Sequence, residues 1–216
     1  MTWRETAERL RALGYPCVET PAACAWDVAP PYYGALASRI AGALDGEPWL
    51  LVGHSGAGGL LPAIAAGGAS AMVFVDAVLP HPGKAWFETA PPDLSGMLRD
   101  RAKDGHVPSW PEWFPASVLA GLLPDAGVRA AFSGEAKPIP LKYLAEPAPA
   151  ARIAPSTPCA YLQLSGGYEA EADAAAAAGW TVARLSLHHL AMLTDPVRVA
   201  GALHSLIEAL SVSSES

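Results

Sequence analysis

The segment that most narrows the possible folds is Leu50-Leu51-Val52-Gly53-His54-Ser55-Gly56-Ala57-Gly58-Gly59-Leu60-Leu61. A short apolar run opens it, small residues crowd its middle, and an apolar helix-like stretch closes it. It contains Gly53-x-Ser55-x-Ala57, close to the G-x-S-x-G pattern but with alanine in the last place. That pattern places a serine on a sharp turn between a buried strand and a helix. A side chain two residues before or after the serine would crowd such a turn, which explains the small residues. The Gly56 amide, at the start of the helix, can then face an anionic oxygen. A phosphate-binding loop would need Lys followed by Ser or Thr, and neither is present. The other reading of the segment is a packing turn without chemistry.

The rest of the chain repeats strand and helix. Trp49–Val52 and Ala71–Val75 read as buried strands, as do Cys159–Leu164 and Thr181–Leu187. Thr2 and Glu5 have capping-box spacing, with Thr2 as N-cap. Trp3, Ala7, Leu10 and Leu13 share a face before Gly14. Tyr15–Thr20 reads as a strand stopped by Pro21, and 21–31 as a loop. Leu36, Ile40 and Leu44 mark a second helix closed by Gly46. Glu169–Ala178 is an alanine-rich helix, and Glu171 and Asp173 suit its N-terminus electrostatically. Pro196–Leu210 is the last helix, with Val199, Leu203, Leu206, Ile207 and Leu210 inward; the tail 211–216 should fray. This alternation predicts an α/β layer fold with a parallel sheet. From His81 to Pro158 proline is frequent and large aromatics cluster. Helical pieces are expected around Leu94–Lys103 and Ser117–Leu123, with no strand signal. We expect a core of 1–80 and 156–216 and an inserted helical cap of 81–155.

Composition excludes several classes. The 216 residues suit one domain, and 51% hydrophobic with 16% charged residues rules out disorder. A net charge of −7 repels phosphate backbones, so nucleic-acid binding is not expected. No apolar run is long enough to span a bilayer, and the polar N-terminus is not a secretory signal. Cys17, Cys24 and Cys159 have neither disulfide-framework nor zinc spacing, which fits reduced thiols in the cytoplasm.

A serine nucleophile needs a base. Of six histidines, His188 and His189 follow a strand and precede the last helix, where α/β sheets place ligand contacts. His189-Leu-Ala-Met-Leu-Thr-Asp-Pro196 resembles the histidine loop of the α/β-hydrolase fold superfamily, in its esterase and hydroxynitrile-lyase-like branch. There the catalytic histidine precedes a proline by the same spacing. Met72-Val-Phe-Val-Asp-Ala-Val-Leu-Pro80 resembles that branch's sixth strand. The resemblance runs from Trp3 to Leu210 and is weakest through the cap. It implies an α/β-hydrolase-like three-layer sandwich with a mostly parallel sheet, the cap inserted after the family's sixth strand. It implies Ser55 as nucleophile and His189 as base, leaving His188 as a neighbour in the pocket. For the acid it leaves two positions: Asp76, favoured because an unpaired carboxylate in an apolar run is costly, and Glu169.

The N-terminus departs from the pattern. In that superfamily a central strand and an oxyanion loop precede the first helix. Here the helix begins at once, leaving a gap between the strands expected at 15–20 and 49–52. Three explanations are open: a start recorded downstream of the true one, a sheet that has re-paired, or a partner chain, as in a homodimer, that fills the gap. Losing one oxyanion donor costs on the order of 3 kcal/mol.

Cap aromatics Trp86, Trp110, Trp113 and Phe114, with His54, are candidate substrate contacts around a mainly apolar pocket; the equal alternative is that the aromatics only pack the cap onto the sheet. The expected activity is that of a serine hydrolase (esterase, lactonase or thioesterase-like) on a small, largely apolar acyl substrate, with no metal or organic cofactor. The alternatives are a non-catalytic binding protein on the same fold, or lyase or cyclase-type chemistry in the same pocket.

Overall fold

The computed structural model describes residues 2–20, 26–44, 49–66, 68–150 and 153–213. Four parallel strands form its main sheet in the order β1 (Trp49–Ser55), β2 (Ala69–Ala77), β5 (Cys159–Gln163), β6 (Thr181–Arg184). The register pairs Val52 with Val73, Val73 with Ala160 and Ala160 with Thr181. Side chains alternate across the strands, and the β2 sequence shows the alternation directly. Ala71, Val73 and Val75 face α1 (Arg4–Ala12), α10 (Ala191–Thr194) and α11 (Pro196–Ser213). Met72 and Phe74 face α2 (Tyr32–Ala41), α3 (Leu61–Ala65) and α9 (Glu169–Ala177). A continuous apolar run is therefore required, because both faces of β2 are covered by helices. The result is a helix–sheet–helix sandwich.

Between β2 and β5 the chain forms α4 (Trp86–Thr89), α5 (Pro92–Asp100), α6 (Ala116–Leu122), α7 (Ala126–Glu135) and α8 (Leu141–Ala145). Two very short strands, β3 (His106–Val107) and β4 (Ile139–Pro140), pair antiparallel within this segment. No strand was expected there. Two residues are too few to show a period, and Pro140 argues against a strand locally. The helices expected near Leu94–Lys103 and Ser117–Leu123 correspond to α5 and α6.

Other local expectations are corrected. Helix α1 begins at Arg4, and its N-cap is Trp3 with no side-chain cap bond, so Thr2 does not form the capping box. The helix ends at Ala12, which leaves Leu13 52% exposed rather than on the inner face. Gly14 follows at φ +95°, a left-handed conformation that suits glycine at a helix end. Residues 15–20 form no strand. Their contacts go to helices instead: the Tyr15 hydroxyl donates to Glu208 Oε1 (2.6 Å) and lies 2.8 Å from His204 Nδ1, while Arg11 Nη2 donates to the Cys17 carbonyl. Consequently the expected gap does not arise between two strands; β1 is an end strand of the main sheet among the described residues. Helix α2 stops at Ala41 with Gly42 as C-cap. Pro21, Cys24, Gly46 and the last residues of the tail lie outside the described residues. Cys17 and Cys159 are free thiols. Among the described residues no helix is long and apolar enough to cross a membrane.

Candidate active site

The carboxyl ends of the four strands converge on one place. Ser55 ends β1 at φ 56°, ψ −128°, a strained conformation for a residue with a β-carbon. A 3-10 turn, Gly56–Leu60, follows it and leads into α3. The turn is possible because of close approaches at two glycines. A β-carbon on Gly58 would lie 2.1 Å from the Val78 carbonyl oxygen, and one on Gly53 would lie 2.9 Å from Leu61 side-chain carbons. Ala57, in contrast, is exposed, so a methyl group is accommodated where the pattern usually has glycine. The Val78 amide donates to the Ser55 carbonyl (3.1 Å), closing the turn against the end of β2.

Asp76 sits at that end of β2, fully buried, at φ 42°. Its oxygens accept four hydrogen bonds. Oδ1 takes the amides of Leu164 (2.8 Å) and Ser165 (2.9 Å); Oδ2 takes the Ser165 hydroxyl (2.6 Å) and His189 Nδ1 (2.9 Å). Burial pushes the carboxyl up, but His189, the Ser165 hydroxyl and the two amides outweigh it, so the group sits below its ordinary value. The next residue is held by Tyr161 of β5, whose hydroxyl donates to the Ala77 carbonyl (2.7 Å) and accepts from the Ala77 amide (2.9 Å).

His189 lies in the loop after β6. Because a carboxylate only accepts, Nδ1 carries the proton and Nε2 is left to accept. That nitrogen is 3.1 Å from Ser55 Oγ. Serine, imidazole and carboxylate thus form one continuous chain of hydrogen bonds. Glu169, the other candidate acid, is exposed on the first turn of α9 and takes no part in this chain.

His189 is enclosed by rings. Tyr168 stacks on it at 5.1 Å and 6° between planes, Trp110 lies at 5.6 Å and His54 at 4.4 Å. Trp110 also packs against Phe114 and Phe132. Of the other expected substrate contacts, Trp86 and Trp113 pack on each other at 5.8 Å, and Trp113 Nε1 donates to the Pro108 carbonyl. No ring contact joins either of them to His189 among the described residues. His54 is placed behind His189: Nε2 donates to the His189 carbonyl (3.0 Å), and Trp3 meets its ring edge-on. Burial, then the neighbouring His189, lowers its pKa to about 3, so it stays neutral. His188 braces the loop by accepting from the Leu190 amide and bonding Thr194 Oγ1 (2.8 Å).

Tyr168 and Ser165 were not singled out from sequence. Tyr168 closes a 3-10 turn, Gly166–Tyr168, before α9, and its hydroxyl is 3.5 Å from Ser55 Oγ. The only sequence signal is an aromatic next to the end of a strand, which is too common to select it.

Strand order, the positive-φ serine at the end of β1 and the histidine loop after β6 define a class: the chain has the α/β-hydrolase fold. Solved structures of that fold are similar to it over nearly its whole length. One is an extracellular α/β-hydrolase from a Paenibacillus species, described as sharing structural and functional homology with tobacco salicylic acid binding protein 2. It is 18% identical, with TM-score 0.71 over 95% of this chain and 93% of that one. Another is the pyrethroid hydrolase PytH, 16% identical, with TM-score 0.65 over 97% and 93%. A third is AqDC, described in recognition and ring-cleavage of the Pseudomonas quinolone signal, 16% identical, with TM-score 0.54 over 96% and 87%. Likeness at such identity is likeness of fold. No protein-family model matches the chain, and no curated protein matches it.

Proposed function

We propose that this protein is a serine hydrolase acting on a small, largely apolar acyl substrate, of ester, lactone or thioester type. The observation that carries this reading is the hydrogen-bonded chain Ser55 Oγ–His189 Nε2 (3.1 Å), His189 Nδ1–Asp76 Oδ2 (2.9 Å), on a serine held at positive φ. The hydrolase neighbours on this fold lend support. In this reading Ser55 attacks the carbonyl carbon and His189 takes its proton. Asp76 fixes the tautomer and stabilises the imidazolium. The Gly56 amide binds the oxyanion. His189 then protonates the leaving group, and water releases the acyl group by the same steps in reverse roles. Glu169 has no part. Residues 81–155 act as the cap, and Trp110, Phe114 and Phe132 supply its apolar side near the base.

The test is intact mass after incubation with a fluorophosphonate probe. A single adduct on the wild type, lost in Ser55→Ala and His189→Ala, is the expected result. Folded wild-type protein without an adduct would overturn the reading. A ring-cleaving neighbour on the same fold favours a second reading, non-hydrolytic chemistry in this pocket. It is distinguished by labelling of Ser55 without turnover of any ester.

A further inference from the structure

We propose that Tyr168 is a catalytic residue whose hydroxyl donates a hydrogen bond to the leaving-group oxygen; this rests on the hydrolase reading above. Three observations carry it. The Tyr168 hydroxyl is 3.5 Å from Ser55 Oγ, the atom that also faces His189 Nε2 at 3.1 Å. Its ring lies nearly parallel on the imidazole, so both groups approach the serine from the same side. Sheet order agrees: Tyr168 follows β5 and His189 follows β6, both on the β2 side of β1. The leaving oxygen must turn towards His189 Nε2 to receive its proton. It therefore turns towards Tyr168 as well. The opposite edge of β1 is where an oxyanion loop would lie, and Tyr168 is not on that side.

The placement is built rather than incidental. Asp76 holds Leu164 and Ser165 through their amides and the Ser165 hydroxyl. The Tyr168 amide donates back to the Ser165 carbonyl (3.3 Å). One buried carboxylate thus orients the imidazole and fixes the turn that presents the phenol. Burial pushes the phenol up to about 12, so it remains an O–H donor at neutral pH.

The proton balance is simple. In acylation the Ser55 Oγ–carbon bond forms and the carbon–oxygen bond to the leaving group breaks. The serine proton passes to His189 and from there to the leaving oxygen. Tyr168 keeps its own proton and only shares it. A shared proton matters in proportion to the charge on the leaving oxygen, so it helps basic alkoxides much more than a stabilised nitrophenolate.

The experiment compares wild type and Tyr168→Phe on butanoate esters of ethanol, phenol and 4-nitrophenol, with fluorophosphonate labelling alongside. Phenylalanine preserves the stack on His189. The expected kcat/KM loss is about 10–100-fold on ethyl butanoate and under about 3-fold on the 4-nitrophenyl ester. Labelling, whose leaving group is fluoride, should be nearly unchanged. An equal loss on all three esters would overturn the proposal, since a structural role or an oxyanion role would give that pattern. So would no loss on any. A wild type that neither labels nor turns over esters would sink the hydrolase reading itself, a result separate from any behaviour of the variant.

Discussion

Asp76→Asn exchanges one oxygen for an amide nitrogen at a fully buried position held at φ 42°, where asparagine is among the few tolerated residues. The remaining oxygen can keep the bonds from the Leu164 and Ser165 amides. The new NH2 group then occupies the place of Oδ2, 2.6 Å from Ser165 Oγ and 2.9 Å from His189 Nδ1. The serine hydroxyl can rotate and accept. The imidazole can accept at Nδ1 only by moving its proton to Nε2, and Ser55 then loses its base. The corresponding change in serine-triad enzymes lowers kcat by about 10⁴-fold, and a similar loss is expected here. Stability should fall less. The folded state favours the charged carboxyl, so its loss costs about 1–3 kcal/mol, or roughly 2–12 °C for a chain of this size. Hydrolysis of 4-nitrophenyl butanoate, fluorophosphonate labelling and a thermal melt measure these quantities. Activity within about threefold of wild type in folded Asp76→Asn, together with a large loss in Glu169→Gln, would refute the assignment of the acid and the tautomer argument with it.

Three further predictions come from the same geometry. Gly58→Ala should destabilise the fold by at least about 1–3 kcal/mol in a urea melt, because the new methyl meets the Val78 backbone, whereas Gly56→Ala enters open space and should leave the midpoint unchanged. His54 should make stability depend on pH. Its folded pKa is lowered to about 3 from an ordinary 6.5, so the unfolded chain binds the extra proton between those values. Its contribution is full above pH 6.5 and is lost as pH falls towards 3, by up to about 1.4 kcal/mol per unit, and His54→Asn should flatten that slope. Glu146→Ala removes both caps on the first turn of α2, where the carboxylate accepts from the Tyr32 amide (2.8 Å) and the Tyr33 amide (3.0 Å). It should cost about 1–2 kcal/mol in a thermal melt while leaving the rate of probe labelling intact.

The strands of the main sheet were legible because both of their faces are covered, so β2 and β5 stand out as apolar runs between turn residues. Ser55 was singled out by the small residues around it in Gly53-x-Ser55-x-Ala57, and Asp76 because a carboxylate in an apolar run needs a partner. Tyr15–Thr20 shows where local pattern fails. Its short apolar run suits a strand, but a strand exists only with a ladder partner, and Tyr15 is instead committed to α11. Helix α7 was missed because it buries no residue fully and its inner face is only the pair Val128 and Phe132, too short a stripe to read. Tyr168 and the position of His54 behind His189 depend on how turns fold back onto other strands, and spacing along the chain does not encode that. The aromatic cluster told only half its story. Trp110 reaches His189, whereas Trp86 and Trp113 pair within their own segment, and nothing in their sequence separates the two roles.

The proposed chemistry draws only on the four paired strands of the described sheet. The proposed nucleophile, acid and base, with Tyr168, come from the ends of β1, β2, β5 and β6, the four strands that pair in register. Among the described residues β1 ends the sheet, and none of these four side chains depends on a neighbour beyond it. In the proposed reading the Gly56 amide, in the serine's own turn, serves as the oxyanion donor. One oxyanion donor is worth on the order of 3 kcal/mol, or about a hundredfold in rate. A hydrogen bond to the leaving oxygen acts on the other half of the same transition state and adds to it for basic leaving groups. Rates on alkyl esters should therefore depend on Tyr168 more than rates on nitrophenyl esters do.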